Sequence, residues 1–132
     1  MKIVKILAVA VPGWICAGTV LADVVLIVHP TAAVPTRQQI ADVYLGRNVA
    51  WKPLDQLEAT AIHAEFYRQA TGRDLAQVKA IWSRLLFTGR GRPPAELPDS
   101  AAVKKAVASD PHAMGYVDSS SVDTSVKAVP LD

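Results

Sequence analysis

Continuous apolar runs and helically spaced apolar stripes take turns along this chain, and their order predicts a layered α/β protein. Val24-Val25-Leu26-Ile27-Val28 is an unbroken, mostly β-branched run closed by His29-Pro30, the pattern of a strand buried on both faces and of the central strand of an α/β sheet. Thr36-Arg37-Gln38-Gln39 then forms a Thr-x-x-Gln capping box, with Ile40, Val43 and Tyr44 at helical spacing behind it and Gly46 as the stop. Ala50-Trp51-Lys52-Pro53-Leu54 is short and extended. Thr60 is placed to cap a second helix whose stripe is Ile62, Phe66 and Ala70, ending at Thr71-Gly72.

Asp74-Leu75-Ala76-Gln77 is a second capping box, and Val78, Ile81, Trp82, Leu85 and Leu86 mark a third helix with a well-buried face. The glycines and prolines between Phe87 and Pro94 predict a loop. Asp99 or Ser100 caps a fourth helix carrying Val103 and Val107, which Pro111 terminates. Ala113-Met114-Gly115-Tyr116-Val117 and Val126-Lys127-Ala128-Val129 read as further strands, separated by the polar turn Asp118 to Ser121. No internal repeat, heptad or low-complexity block interrupts the alternation, which predicts a three-layer α/β lobe.

The residues ahead of the first strand follow a different rule. Lys2 and Lys5 form a short positive head, Ile6 to Leu21 carries no charge, and Val20-Leu21-Ala22 offers small residues where a signal peptidase reads. Pro12, Gly13 and Gly18 interrupt a stretch already shorter than the roughly 20 apolar residues of a comfortable membrane span. Residues 1–22 are therefore expected to be a signal peptide, with one domain over 23–132, exported to the periplasm and without membrane insertion after cleavage. Cys16 is preceded by Ile15, a poor fit to the small residue that lipidation needs.

Cleavage would change the charge. Without Lys2 and Lys5 the 14 basic residues fall to 12, equal to the 12 acidic ones, so the sequence pI near 8.8 gives no reason to expect nucleic-acid binding. The only cysteine would leave too, so stability must come from a hydrophobic core rather than disulfides.

Catalytic and metal chemistry find little footing. His29, His63 and His112 lie far apart with no three- or four-residue ligand spacing, and read as unrelated surface or half-buried imidazoles. Gly-x-Ser-x-Gly is absent, Ser119-Ser120-Ser121 reads as a solvated turn, and the aspartates fall mostly at caps and turns. The first strand leads into Pro30-Thr31-Ala32-Ala33 rather than a glycine-rich loop, which argues against nucleotide binding. No enzyme, metal or cofactor is expected; an enzyme would return to view only if His63 or His112 met a carboxylate in a pocket. Tyr44, Trp51, Phe66, Tyr67, Trp82 and Phe87 are expected to pack in the core. Milder anion chemistry remains open, through helix N-termini at Thr31, Thr36 or Thr60 and through Gly89-Arg90-Gly91-Arg92, where flanking glycines let two guanidinium groups approach an oxyanion.

Ile40-Ala41-Asp42-Val43-Tyr44-Leu45-Gly46-Arg47 followed by Trp51, Phe66-Tyr67, Trp82, Phe87-Thr88-Gly89-Arg90-Gly91 and Met114-Gly115-Tyr116-Val117 resemble, in order and rough spacing, the periplasmic phosphate-binding proteins of ABC transporters. The chain is most similar to a short, single-lobe branch of that type 2 periplasmic-binding-protein-like group. The resemblance implies one lobe with a mixed β-sheet flanked by helices, the other lobe having no counterpart. It also implies a small oxyanion such as phosphate as ligand and a link to phosphate transport; the expected site is formed by Asp55, Gln56 and Thr60 with the Arg90 and Arg92 loop.

Two departures qualify it. Where the family has an Arg and an Asp before a Ser-Gly-Thr turn, this chain reads Asp55-Gln56-Leu57-Glu58-Ala59-Thr60, so only Asp55 and Thr60 carry over and Glu58 sets a negative charge beside an incoming anion. A single lobe also leaves one side of a ligand wet unless a second copy supplies the wall. The alternative expectation keeps the fold and drops the ligand, making the lobe an interaction module that docks on an envelope protein or on itself.

Overall fold

A computed structural model describes residues 23–131; the expected signal peptide lies outside them. Strands β1 (Val24–Val28), β2 (Lys52–Gln56), β3 (Ala95–Leu97), β4 (Ala113–Asp118) and β5 (Lys127–Val129) form one sheet in the order β3-β2-β4-β1-β5. Helices α1 (Arg37–Tyr44), α2 (Ala61–Thr71), α3 (Leu75–Phe87) and α4 (Ser100–Ala108) connect them. β2 runs parallel to β3 and β4, whereas β1 is antiparallel to both β4 and β5, so the sheet is mixed.

The valine-rich β1 is interior and almost wholly buried, but the middle of the five strands is β4. This corrects the sequence expectation. A run of buried apolar residues reports that both faces are covered, and β1 and β4 satisfy that condition equally.

Alternation along the strands divides the core in two. Leu26 and Val28 of β1 and Met114 and Tyr116 of β4 meet α1, α2 and α3, while Ile27 and Val117 meet Val103 and Val107 of α4 on the opposite face. Gly115 of β4 lies under α4, where a Cβ would collide with Val103 Cγ1. Both predicted capping boxes form, Thr36 with Gln39 and Asp74 with Gln77, and Asp99 caps α4. Gly46 ends the first helical segment with φ +80°, and its Cα comes so close to Leu85 that a Cβ would stand 2.6 Å from that side chain.

Three local expectations need correction. The extended segment expected over residues 50–54 is β2, which runs Lys52–Gln56 and so takes in Asp55 and Gln56. β3 carries no apolar signal because its residues are mostly exposed, and it was not legible beside Pro93-Pro94. Only Val78 and Trp82 of the α3 stripe are buried; Ile81 and Leu85 are half-buried, Leu86 is 52% exposed and the helix-ending Phe87 is 93% exposed. α3 sits at the outer rim of the helical layer, so one stripe packs and the next borders open space.

Candidate functional site

Leu54 packs in the α4 layer, so alternation turns Asp55 toward α2 and α3. There Asp55, 5% exposed, sits inside a cage of donors. Its Oδ1 accepts from the Gln56 backbone N–H at 2.8 Å and from the Tyr116 hydroxyl, and lies 3.1 Å from His63 Nδ1. Oδ2 accepts from the Tyr67 hydroxyl at 2.6 Å. His63 Nδ1 is also 2.9 Å from the Gln56 carbonyl oxygen, and with two acceptors facing it this nitrogen carries the proton.

Burial alone would raise the Asp55 carboxyl, but hydrogen bonds from His63, Tyr116 and Tyr67 outweigh it and hold the group below its ordinary value. Burial pulls the His63 imidazolium down, and the bond to Asp55 together with its charge more than reverses that, raising it. Burial and the nearby Asp55 charge push Tyr44, Tyr67 and Tyr116 upward, so the hydroxyls remain protonated donors.

This corrects the reading of His63 as an unrelated imidazole. The readable signal was its spacing: His63 and Tyr67 are four residues apart and share a helix face, next to the Ile62 and Phe66 stripe. Tyr116 could not be placed in the same cluster from spacing, because the pairing of β2 with β4 brings it there.

The first turn of α2 separates two hollows. One, of about 420 Å³, lies beyond the C-terminal ends of the parallel strands β2 and β4, where open α/β sheets commonly hold ligands. Gln56, Thr60, Ala61, Ile62, Ser100 and Asp118 line it. Thr60 occupies the capping position, yet its hydroxyl donates to the Leu57 carbonyl at 2.8 Å instead of accepting from the helix. The His63 N–H turns to the Thr60 carbonyl at 3.3 Å, and those of Ala61 and Ile62, the first two of the helix, meet no acceptor among the described residues. Ser100 Oγ accepts from Gln56 Nε2 at 3.1 Å and from the Asp118 N–H at 3.0 Å, joining the two strand ends to α4.

The other hollow is a cleft of about 300 Å³ between α3 and the β2–β3 edge, lined by Asp55, His63, Tyr67, Trp82, Pro93 and Pro94 among others. The five expected site residues thus divide. Gln56 and Thr60 share the first hollow, Asp55 belongs to the second, and the exposed Arg90 and Arg92 line neither. Both amide hydrogens of Gln56 are taken, by Ser100 Oγ and by the Tyr116 carbonyl at 2.9 Å. No group of His, Cys, Asp and Glu among the described residues is arranged to hold a metal ion.

No protein-family model and no curated protein matches the chain. Solved structures do. An ABC-type phosphate transport receptor from Vibrio cholerae superposes with a TM-score of 0.63 at 18% identity, over 82% of this chain and 45% of the receptor. The chain has the fold of one lobe of a phosphate-type substrate-binding protein. A Clostridium perfringens protein assigned as a phosphate ABC transporter substrate-binding protein, solved with bound phosphate, gives a TM-score of 0.64 at 22% identity over 82% of this chain and 44% of its own. The lobe therefore spans less than half the length of either relative. No helix among its described residues is long and apolar enough to cross a membrane.

Proposed function

We propose that the chain is an exported, phosphate-type solute-binding domain that takes a small oxyanion in the hollow beyond β2 and β4. The observation that carries this reading is the first turn of α2, whose Ala61 and Ile62 N–H groups have no acceptor among the described residues and border this hollow. A helix N-terminus with free donors attracts anions through both its hydrogen bonds and its dipole. The fold likeness to a phosphate transport receptor supports it.

Asp99 and Asp118 also border this hollow and oppose a negative guest, although each has one oxygen engaged in capping its own turn. Binding is accordingly weak and selective for single small anions. The Asp55–His63 contact meets the condition that brings an enzyme back into view, a histidine beside a carboxylate in a pocket, but its carboxylate is already held by two tyrosines, and binding rather than catalysis is the reading here as well. Titrating phosphate and sulfate while following backbone amide resonances tests the proposal: the Ala61 and Ile62 signals move saturably, and no movement at millimolar anion overturns it.

A second reading, docking on an envelope partner or on another copy, is favoured by the exposed Phe87 and Leu86 at the end of α3. Under it, Phe87→Ser abolishes an association seen by sedimentation or envelope crosslinking, and an unchanged association removes it.

A further inference from the structure

The cleft between α3 and the β2–β3 edge has features that an inorganic oxyanion does not need. Leu75, Val78, Trp82 and Leu86 of α3 form one apolar wall, and Pro93 and Pro94 form the other. At the floor stands His63, 5% exposed, whose side-chain hydrogen bonds among the described residues all run through Nδ1. No fully buried side-chain nitrogen or oxygen is left without a partner among the described residues, so Nε2 keeps some exposure, and the cleft is the hollow that His63 lines. The molecule thus holds an oriented, deeply set imidazole whose outward nitrogen has no partner among the described residues, at the base of apolar walls.

We propose that this cleft binds a small carboxylate with an aromatic or branched apolar body, its carboxylate oxygen accepting from His63 Nε2–H and its body lying against Trp82 and the Pro93-Pro94 wall. One donor at the base suits a monoanion, and the volume suits a compact ligand at the small end of known sites. Asp55 behind the ring favours the imidazolium that supplies this donor. The charged and titratable groups around His63 are Asp55 on β2, Tyr67 on its own helix, Tyr116 on β4, Glu58 before α2, Lys79 on α3 and Glu96 on β3. Glu58 is paired with Lys79 at 2.6 Å across the rim, so their charges largely cancel, and Glu96 disfavours dianions.

Phenylacetate is the probe, with phenylacetamide as its uncharged counterpart, followed by calorimetry and by His63 ring resonances. The expected result is saturable phenylacetate binding that shifts the His63 signals, weakens as pH rises through the imidazolium titration, and is at least tenfold stronger than phenylacetamide binding. His63→Gln lowers the affinity tenfold or more. Leu86→Glu is a control that does not depend on the buried network: Leu86 is half exposed, so the variant folds and places a like charge at the cleft wall, again weakening binding. Absence of binding, equal binding of the amide, or affinity unchanged in Leu86→Glu overturns the proposal. Phosphate shifts at Ala61 and Ile62 report on the other hollow, so either site can fail without the other.

Discussion

Phe66 of α2 lies face to face with Tyr116 of β4, ring centroids 4.0 Å apart and planes 8° from parallel. The stack ties the helix that carries His63 to the middle strand of the sheet, and it fixes the ring whose hydroxyl reaches Asp55. Phe66→Ala removes a fully buried aromatic and costs about 3–5 kcal/mol. Urea unfolding followed by circular dichroism measures this, and a loss below about 1 kcal/mol would contradict the packing described.

The contact between Asp55 and His63 predicts a pH window of stability. His63 is raised in the folded state, so its contribution is complete below its ordinary value of 6.5 and is lost as pH climbs through the folded value. Asp55 is lowered, so its contribution is complete above its ordinary value of 3.8 and is lost as pH falls through the folded value. The pair therefore contributes fully between those two ordinary values. Thermal melts across pH should show this plateau, and in His63→Gln the decline on the alkaline side should flatten.

Asp55→Ala is more damaging than either pH limb. It leaves His63, Tyr67 and Tyr116 facing an empty centre, and breaking such a buried pair costs about 3–5 kcal/mol. Chemical denaturation at neutral pH checks the size of the loss.

Gly115→Ala drives a methyl group into Val103 at the interface of β4 and α4. Overpacking of this kind costs about 1–3 kcal/mol, and Val103→Ala in the same chain should recover part of it. A double-mutant cycle by urea denaturation measures the coupling, which should be favourable.

Ala61→Pro separates the oxyanion hollow from the fold. Ala61 is the first helical residue of α2, where proline is tolerated, and the preceding Thr60 already has the extended backbone that proline requires, φ −72° and ψ 148°. The melting temperature should stay near that of the parent while the phosphate-induced shift of Ile62 shrinks, because one of two donors is gone.

Periodicity made most of the fold legible. Val24–Val28, the two capping boxes and the Ile62, Phe66 and Ala70 stripe each state a local requirement that the structure meets. β3 escaped because a three-residue edge strand with two exposed positions and only Leu97 half-buried leaves no apolar pattern, and Leu86 and Phe87 misled because helical spacing does not say whether a neighbour exists. For the site, the sequence grouped Asp55, Gln56 and Thr60 by neighbourhood along the chain, but the two faces of β2 send Asp55 and Gln56 to different neighbours. His63 gained its partner only through the meeting of α2 with β2 and β4, a long-range contact that no local spacing encodes.

Both outer strands, β3 and β5, are three residues long. Such short borders offer little template for another chain to extend the sheet, while the valine-rich segment with real fibre-forming composition is locked between β4 and β5. Growth of the native protein through its sheet edges should thus be slight, and its tendency to form fibrils should appear only when β1 is released by unfolding.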